Sequence, residues 1–291
     1  MQVVYHLGVH CTDEDRLLKC LLKNRGLLAE QGTVVPSPRR YRKALREALR
    51  SLNGRPAPTD MQEELLDTVM DEDHADRLVF SQQSFLAAPA RALEMNMFYH
   101  EAGEKTAALA RLFPQAECEF HIALRNPATF IAALFARTEE TDFEGFVTGI
   151  DPRSLRWSDM VARVRNAAPG AAVTVWCNED TPLIWTELLR ALAGHDPQTE
   201  LEGSYDFLAT IMSPAGLARM KTYLESHPLQ NELQRRRVVA AFLDKYAIED
   251  EVEIELDLPG WTEDLVEEMT EGYEEDLFEI ERMEGVRFIT P

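Results

Sequence analysis

The residues best placed to do chemistry lie at the start of the chain. An apolar run at residues 2–7 ends at Gly8, and Val9, His10, Cys11 and Thr12 follow before three acids, Asp13, Glu14 and Asp15. From there leucines 17, 18, 21, 22, 27 and 28 recur at helical spacing. A strand, a tight turn and a helix in that order aim the free N–H groups of the helix start at an anion, commonly a phosphate. His10 in such a turn is a candidate general base for an acceptor hydroxyl. Loops that hold phosphate supply glycines, a lysine and hydroxyls, yet this one carries carboxylates.

Those carboxylates have two opposite effects. Thr12 is a good N-cap, and Asp15 three residues later completes a shortened capping box. Acids in a first helical turn stabilise the helix by about 0.3–1 kcal/mol each. An anion arriving ~4–5 Å from one of them meets about 3–4 kcal/mol of repulsion at an effective dielectric of about 20. Three readings stand: a self-capped helix start, a reshaped anion site, and a divalent-cation site. The third is weakest, because consecutive helical positions do not converge on one ion. Cys11 is either a reactive thiol at a helix end or a small inert residue, and its acidic neighbours favour the second.

The stretch HLGVHCTDEDRLLKCLLKNRGLLAEQG at residues 6–32 resembles the opening of bacterial sulfotransferases. These use 3′-phosphoadenosine 5′-phosphosulfate as sulfuryl donor and open on approximately H-I-G-x-x-K-T-G-T-T-x-L-Q. His6, Gly8, Thr12, Leu17 and the LLAEQG ending match. Cys11 stands where that pattern has lysine, Asp13 where it has glycine, and Glu14 and Asp15 where it has threonines. FHIALRNP at residues 120–127 resembles the family strand ending in R-x-P, whose arginine holds the donor's 3′-phosphate with a serine eight residues on. Arg125 is present, but the later position is Ala133. LVFSQQ at residues 78–83 resembles the strand ending S-S-E, with Gln83 replacing the acid. The GVRF ending at residues 285–288, after Tyr273 and Asp276, is also similar. The resemblance implies an α/β fold of the P-loop type, a parallel sheet flanked by helices. It also implies a donor site at Gly8, Thr12 and Arg125.

The elements that must position these residues alternate in type. Strands are expected at residues 2–7, 78–81, 119–124 and 173–176. Helices are expected from residue 13, at 39–50, 60–70 with Thr59 as cap, 102–113, 128–137, 157–167 and 182–193. Such alternation predicts a parallel sheet with right-handed crossovers and ligands at the carboxyl ends of strands. Gly8, His10, Ser81, Gln82, Arg125 and Asn178 all lie near those ends. Beyond residue 204 helices are expected at 215–224, 231–246 and 262–281. The expected organisation is thus an α/β core over 1–203 and a mostly helical part over 204–291, with one single domain as the alternative. Trp261, Leu265, Met269, Tyr273, Leu277 and Ile280 give the last helix an apolar face, which predicts core packing over a partner surface.

Charge is uneven. The 291 residues carry a net charge of −21, and residues 249–291 hold 17 acids against Arg282 and Arg287. That balance argues against nucleic acid as a partner. Against it stands the run Arg39, Arg40, Arg42, Lys43, Arg46 and Arg50, an amphipathic helix with a cationic outer face. Arg39, Arg42 and Arg46 are candidates to dock an anionic small molecule or protein; the alternative is a solvated face, or one paired with the acidic tail. Arg235, Arg236 and Arg237 invite the same two readings. His121, within a strand, reads as a core residue. The four cysteines form no CxxC pair, and no metal motif is present, so reduced thiols and a cytoplasmic location are expected. No run is apolar enough to span a membrane, and Met1 leads directly into the first strand without a leader pattern.

Two classes of function follow. One is a sulfotransferase-like protein with a degenerate donor loop and impaired catalysis, acting as a binding or interaction protein with no tightly held cofactor. The other is an active sulfotransferase, with His10 as base and the donor (or its desulfo product, adenosine 3′,5′-bisphosphate) held by Arg125.

Overall fold

A computed structural model of the chain describes residues 1–252 and 256–291. The apolar run at the start becomes β1 (Gln2–Gly8), buried over nearly its whole length. The helix expected after it divides into α1 (Arg16–Lys23) and α2 (Arg25–Glu30). Asn24 causes the break, because its Nδ2 donates to the Cys20 and Glu202 carbonyls, each at 2.8 Å, and competes with the helical ladder. A two-residue strand, β2 (Thr33–Val34), precedes the basic helix α3 (Pro38–Leu52), which turns Tyr41, Leu45, Ala48 and Leu52 inward. Helix α4 (Thr59–Val69) starts from Pro58 as N-cap, so Thr59 is its first residue and not its cap.

Next come β3 (Arg77–Ser81), α5 (Ala102–Ala110), β4 (Glu117–Leu124), α6 (Pro127–Phe135) and the single turn α7 (Phe143–Phe146). Helix α8 (Trp157–Ala167), β5 (Ala172–Cys177) and α9 (Thr181–Ala193) follow, the last closed by Gly194 at φ 64°. The remainder holds α10 (Leu208–Ile211), α11 (Pro214–Ser226), α12 (Glu232–Tyr246), α13 (Glu249–Val252), α14 (Glu263–Glu281) and a final strand, β6 (Val286–Ile289).

The six strands form one all-parallel sheet in the order β2-β3-β1-β4-β5-β6, flanked by helices. Parallel strands covered on both faces need apolar residues at nearly every position, which is why the strand segments read as runs and not as alternations. On one face Tyr5 stacks between Phe80 and Phe120, its register neighbours, at 5.7 and 5.6 Å. That core continues through Phe98, Phe130 and Trp157 to Leu265, Met269 and Tyr273 of α14. On the other face Val4, Val79 and Trp176 pack against Leu17 and Leu21 of α1 and Leu188 of α9. Helices α10–α12 enclose a small cluster of their own around Met212, Met220 and Val239.

The segment after residue 204 therefore divides. The expected helical part includes a strand at the edge of the core sheet, and α14 lies against that sheet's main core. Asp276 fixes α14 there, since its Oδ2 accepts the amides of Trp157 at 2.6 Å and Ser158 at 3.1 Å and so caps α8. Two of the acids counted in the tail, Glu253 and Glu255, lie outside the described residues.

Candidate functional site

The strand order reverses direction around β1, between β3 and β4, and the turn leaving β1 lies at that switch point. Gly8 opens the turn at φ 92°, and a Cβ there would lie 3.2 Å from the Gln83 Cα, so both conformation and space demand glycine. Cys11, Glu14 and Asp15 then take φ values of 58°, 54° and 58°. Three non-glycine residues in the left-handed region within five positions store strain, a feature concentrated at functional loops.

The turn is closed by its own side chains. Asp13, 2 % exposed, accepts the Leu17 amide through Oδ2 at 3.0 Å, at the position where an anion would meet the start of α1. Glu14 pairs with Arg137 just beyond α6, and Asp15 pairs with Arg42 of α3 at 3.1 Å. Arg137 also donates to Gln83 Oε1 at 3.0 Å. Arg125, directly after β4, donates from Nη1 to the Cys11 carbonyl and from Nε to Thr129 Oγ1 at 3.0 Å. Two of the three acids thus face arginines, and the third, Asp13, is taken up by a backbone amide. The expected role of Thr12 as N-cap does not hold, because its hydroxyl donates to the Val9 carbonyl at 2.9 Å and Asp15 occupies the N-cap position without a side-chain cap bond. The helix begins three residues later than a Thr12 cap requires, since the left-handed residues Glu14 and Asp15 cannot be its first turn.

His10 is 2 % exposed and stacks on Tyr99 with ring planes 9° apart. The Tyr99 hydroxyl accepts the His10 amide at 3.1 Å and lies 2.7 Å from Nδ1. A hydroxyl has one proton and two lone pairs, so this contact forms with either tautomer of the ring. Burial, helped by the Arg137 charge, pushes the imidazole down to about 4. Its Nε2 is buried without a partner among the described residues, and the surroundings hold the ring neutral. Burial likewise pushes the Cys11 thiol up, against the nearby Arg137 and Arg125, which makes it unreactive.

Of the other residues near the strand ends, Ser81 Oγ meets His6 Nδ1 at 2.9 Å, and Gln82 Nε2 donates to Ser84 at 2.7 Å. Glu179, after β5, accepts the Asn126 amide at 2.8 Å and the Tyr273 hydroxyl at 3.2 Å, and its burial raises its pKa. His121 is buried in β4 beside Glu119 at 3.3 Å. Among the described residues no group of three or more histidines, cysteines, aspartates and glutamates is arranged to hold a metal. Among the described residues no helix is long and apolar enough to cross a membrane.

No family model, curated protein or solved structure matches this chain. Its chemistry rests on its own residues.

The basic helix is oriented by the sheet. Tyr41 and Leu45 anchor α3, and Arg42, Arg46 and Arg50 line a cleft of about 1020 Å³ toward α5. Arg39 is exposed on a different part of the helix, so of the three candidate docking residues the structure brings together Arg42 and Arg46, and adds Arg50. No acid of the described tail pairs with α3; its partners are Asp71 for Arg40, Asp15 for Arg42 and Glu47 for Lys43. Arg235 and Arg236 pair with Glu232 and Glu187, the second tie holding α12 to α9. Arg137 and Tyr99, the two residues that complete the turn, carry no signal in the sequence, lying 123 and 89 positions from their partners.

Proposed function

We propose that this chain is a sulfotransferase-like α/β protein of the P-loop type whose donor cradle is closed by its own carboxylates, and that it acts by binding and not by sulfuryl transfer. One observation carries the reading: the Asp13 carboxylate on the Leu17 amide at the start of α1. A phosphate entering there would have to displace that carboxylate and part Glu14 from Arg137 and Asp15 from Arg42. It would also have to free Arg125 from the Cys11 carbonyl. These residues do not fit the sulfated nucleotide. No lysine replaces the attraction lost at Cys11, and each carboxylate near the anion costs about 3–4 kcal/mol at ~4–5 Å.

Titration calorimetry with adenosine 3′,5′-bisphosphate tests this. The expected result is no binding below millimolar concentration. Micromolar binding overturns the reading and restores an active transferase with Gly8, Thr12 and Arg125 on the donor. The pair Cys11→Lys with Asp13→Gly, which removes the resident carboxylate and returns the cation, is expected to create binding that the parent lacks.

A further inference from the structure

The cleft between α3 and α5 is separate from the closed turn and has a different character. Its floor is apolar, formed by Leu45 and Leu49 of α3, Phe85 and Leu86 beyond β3, and Ala108 and Leu109 of α5. Its rim is cationic. Arg42, Arg46 and Arg50 stand at four-residue spacing along one wall, Arg91 and Lys105 stand opposite, and Arg111 closes one end. Only Glu101 and Glu104 oppose these six cations in the lining of the cleft, in a chain whose net charge is −21.

The cations are not all used alike. Arg91 is held by Glu94 at 2.9 Å and Glu101 at 3.1 Å, Lys105 by Glu101 at 3.1 Å, and Arg111 by the Gly54 carbonyl at 2.8 Å. Arg46 and Arg50 have no carboxylate within ion-pair distance among the described residues. Like charges one helical turn apart repel, so an uncompensated row along α3 works against the helix that carries it. Arg46 and Arg50 lack a counter-charge among the described residues, and the floor beneath them lacks an apolar cover.

We infer that this cleft binds a small anionic amphiphile, a molecule with an aliphatic or aromatic body and a carboxylate, sulfate or phosphate head. The body lies on Leu49 and Phe85, and the head meets Arg46 and Arg50. A volume of about 1020 Å³ suits such a ligand, since small-molecule sites range over about 300–1,000 Å³ and combine apolar walls with a few placed polar groups. Arginine suits the head because its planar fork meets two oxygens of a carboxylate, sulfate or phosphate at once. The inference rests on the proposed function only in that the chain acts by binding; it uses none of the residues that close the turn except Arg42.

Titration of the intact protein with decanoate, 1-decanol and sodium sulfate tests it. Decanoate is expected to bind at least tenfold more tightly than decanol or sulfate. Arg46→Glu with Arg50→Glu, both at exposed positions, is expected to weaken decanoate tenfold or more and leave decanol unchanged, and Arg46→Gln to act in the same direction by a smaller factor. Ala108→Trp, which fills the floor, is expected to weaken both organic probes. Decanol binding as tightly as decanoate reduces the cleft to an apolar patch, and sulfate matching decanoate reduces it to a plain anion patch. Either result overturns the proposal, as does an absence of decanoate binding at millimolar concentration or an unaltered affinity in the double variant. An acidic amphipathic peptide that binds while decanoate does not assigns the cleft to a protein partner instead. Because the bisphosphate nucleotide reports on the turn and decanoate on the cleft, failure of one leaves the other standing.

Discussion

The Asp13 carboxylate accepts the Leu17 amide at 3.0 Å, four residues along the chain, and so one of the first free N–H groups of α1 is served by an anion the chain itself supplies. Its second oxygen, Oδ1, is buried without a partner. The bond holds a turn whose backbone is strained at Cys11, Glu14 and Asp15. It therefore does the structural work that a bound phosphate would otherwise do at a helix start.

Removing that oxygen should loosen the turn. Asp13→Ala is expected to cost about 0.5–2 kcal/mol, the usual range for a lost helix cap. For a chain of this size that lowers Tm by about 2–4 °C for each kcal/mol. Asp13→Asn keeps an acceptor oxygen and should retain most of the stability. Calorimetric melting of both variants decides it, and an alanine variant as stable as the parent means the bond holds nothing.

Acid should destabilise the fold in a defined window. His10 is held at about 4 by burial and the Arg137 charge, against an ordinary value of 6.5. Between those values the unfolded chain binds a proton that the folded chain refuses. The contribution is thus complete above pH 6.5 and is lost toward pH 4, at about 1.4 kcal/mol for each unit. His6 and His121, also pushed down by burial, act in the same direction. Glu119 adds a lower window. Burial raises its carboxyl, but hydrogen bonds from His121 and Arg77 outweigh that and hold it at about 2, so its share is complete above 4.5 and lost below. Urea midpoints should hold from pH 7.5 to about 6.5 and fall from there to 4.5. His10→Gln, which does not titrate, should flatten that slope by about 1.4 kcal/mol for each unit; an unchanged slope would show that His10 titrates normally in the folded state.

Much of the sheet was legible because buried parallel strands write themselves as apolar runs. Strands β1, β3, β4 and β5 lie within two residues of where the sequence places them. The edge strands were not legible. Thr33–Val34 is two residues long, and Val286–Ile289 is half exposed and carries Arg287, so neither differs from a loop by periodicity. The acidic last helix was legible through its apolar face, yet Asp276 lies on that buried side, where it caps α8 and not solvent. The turn after β1 was legible in type but not in state. The sequence shows three acids; only the fold brings Arg42 from 27 residues away and Arg137 from 123 to neutralise two of them.

Arg77 ties four elements together, and its loss should be severe. Its Nη1 donates to Glu119 at 2.9 Å and to Gln2 at 2.7 Å, while Nε and Nη2 donate to the Leu192 and Ala191 carbonyls, each at 2.8 Å. The last two bonds satisfy carbonyls in the final turn of α9 and place a cation at the negative end of that helix. Arg77→Met leaves Glu119 half-buried with His121 as its remaining partner, which should cost about 3–5 kcal/mol. Adding Glu119→Gln removes the stranded charge and should restore part of the loss. Chemical denaturation of the single and double variants measures the difference. A double variant no more stable than the single one would show that the α9 carbonyls, and not the ion pair, account for the effect.

Gly8 should tolerate no side chain, for two separable reasons. At φ 92° an L residue pays a conformational cost, about 1–2 kcal/mol in the left-handed region. The new Cβ would also meet the Gln83 Cα at 3.2 Å, tighter than ordinary van der Waals contact, and Gln83 is backbone that has to move as a unit with the end of β3. Gln83 holds Arg137, and Arg137 holds Glu14, so displacement there reaches the acids that close the turn. Gly8→Ala is expected to lower Tm by several degrees and to raise amide exchange at Leu17, the residue whose N–H Asp13 accepts. A variant that melts lower while Leu17 stays protected would confine the effect to backbone strain at residue 8 and uncouple β1 from the closure of the turn.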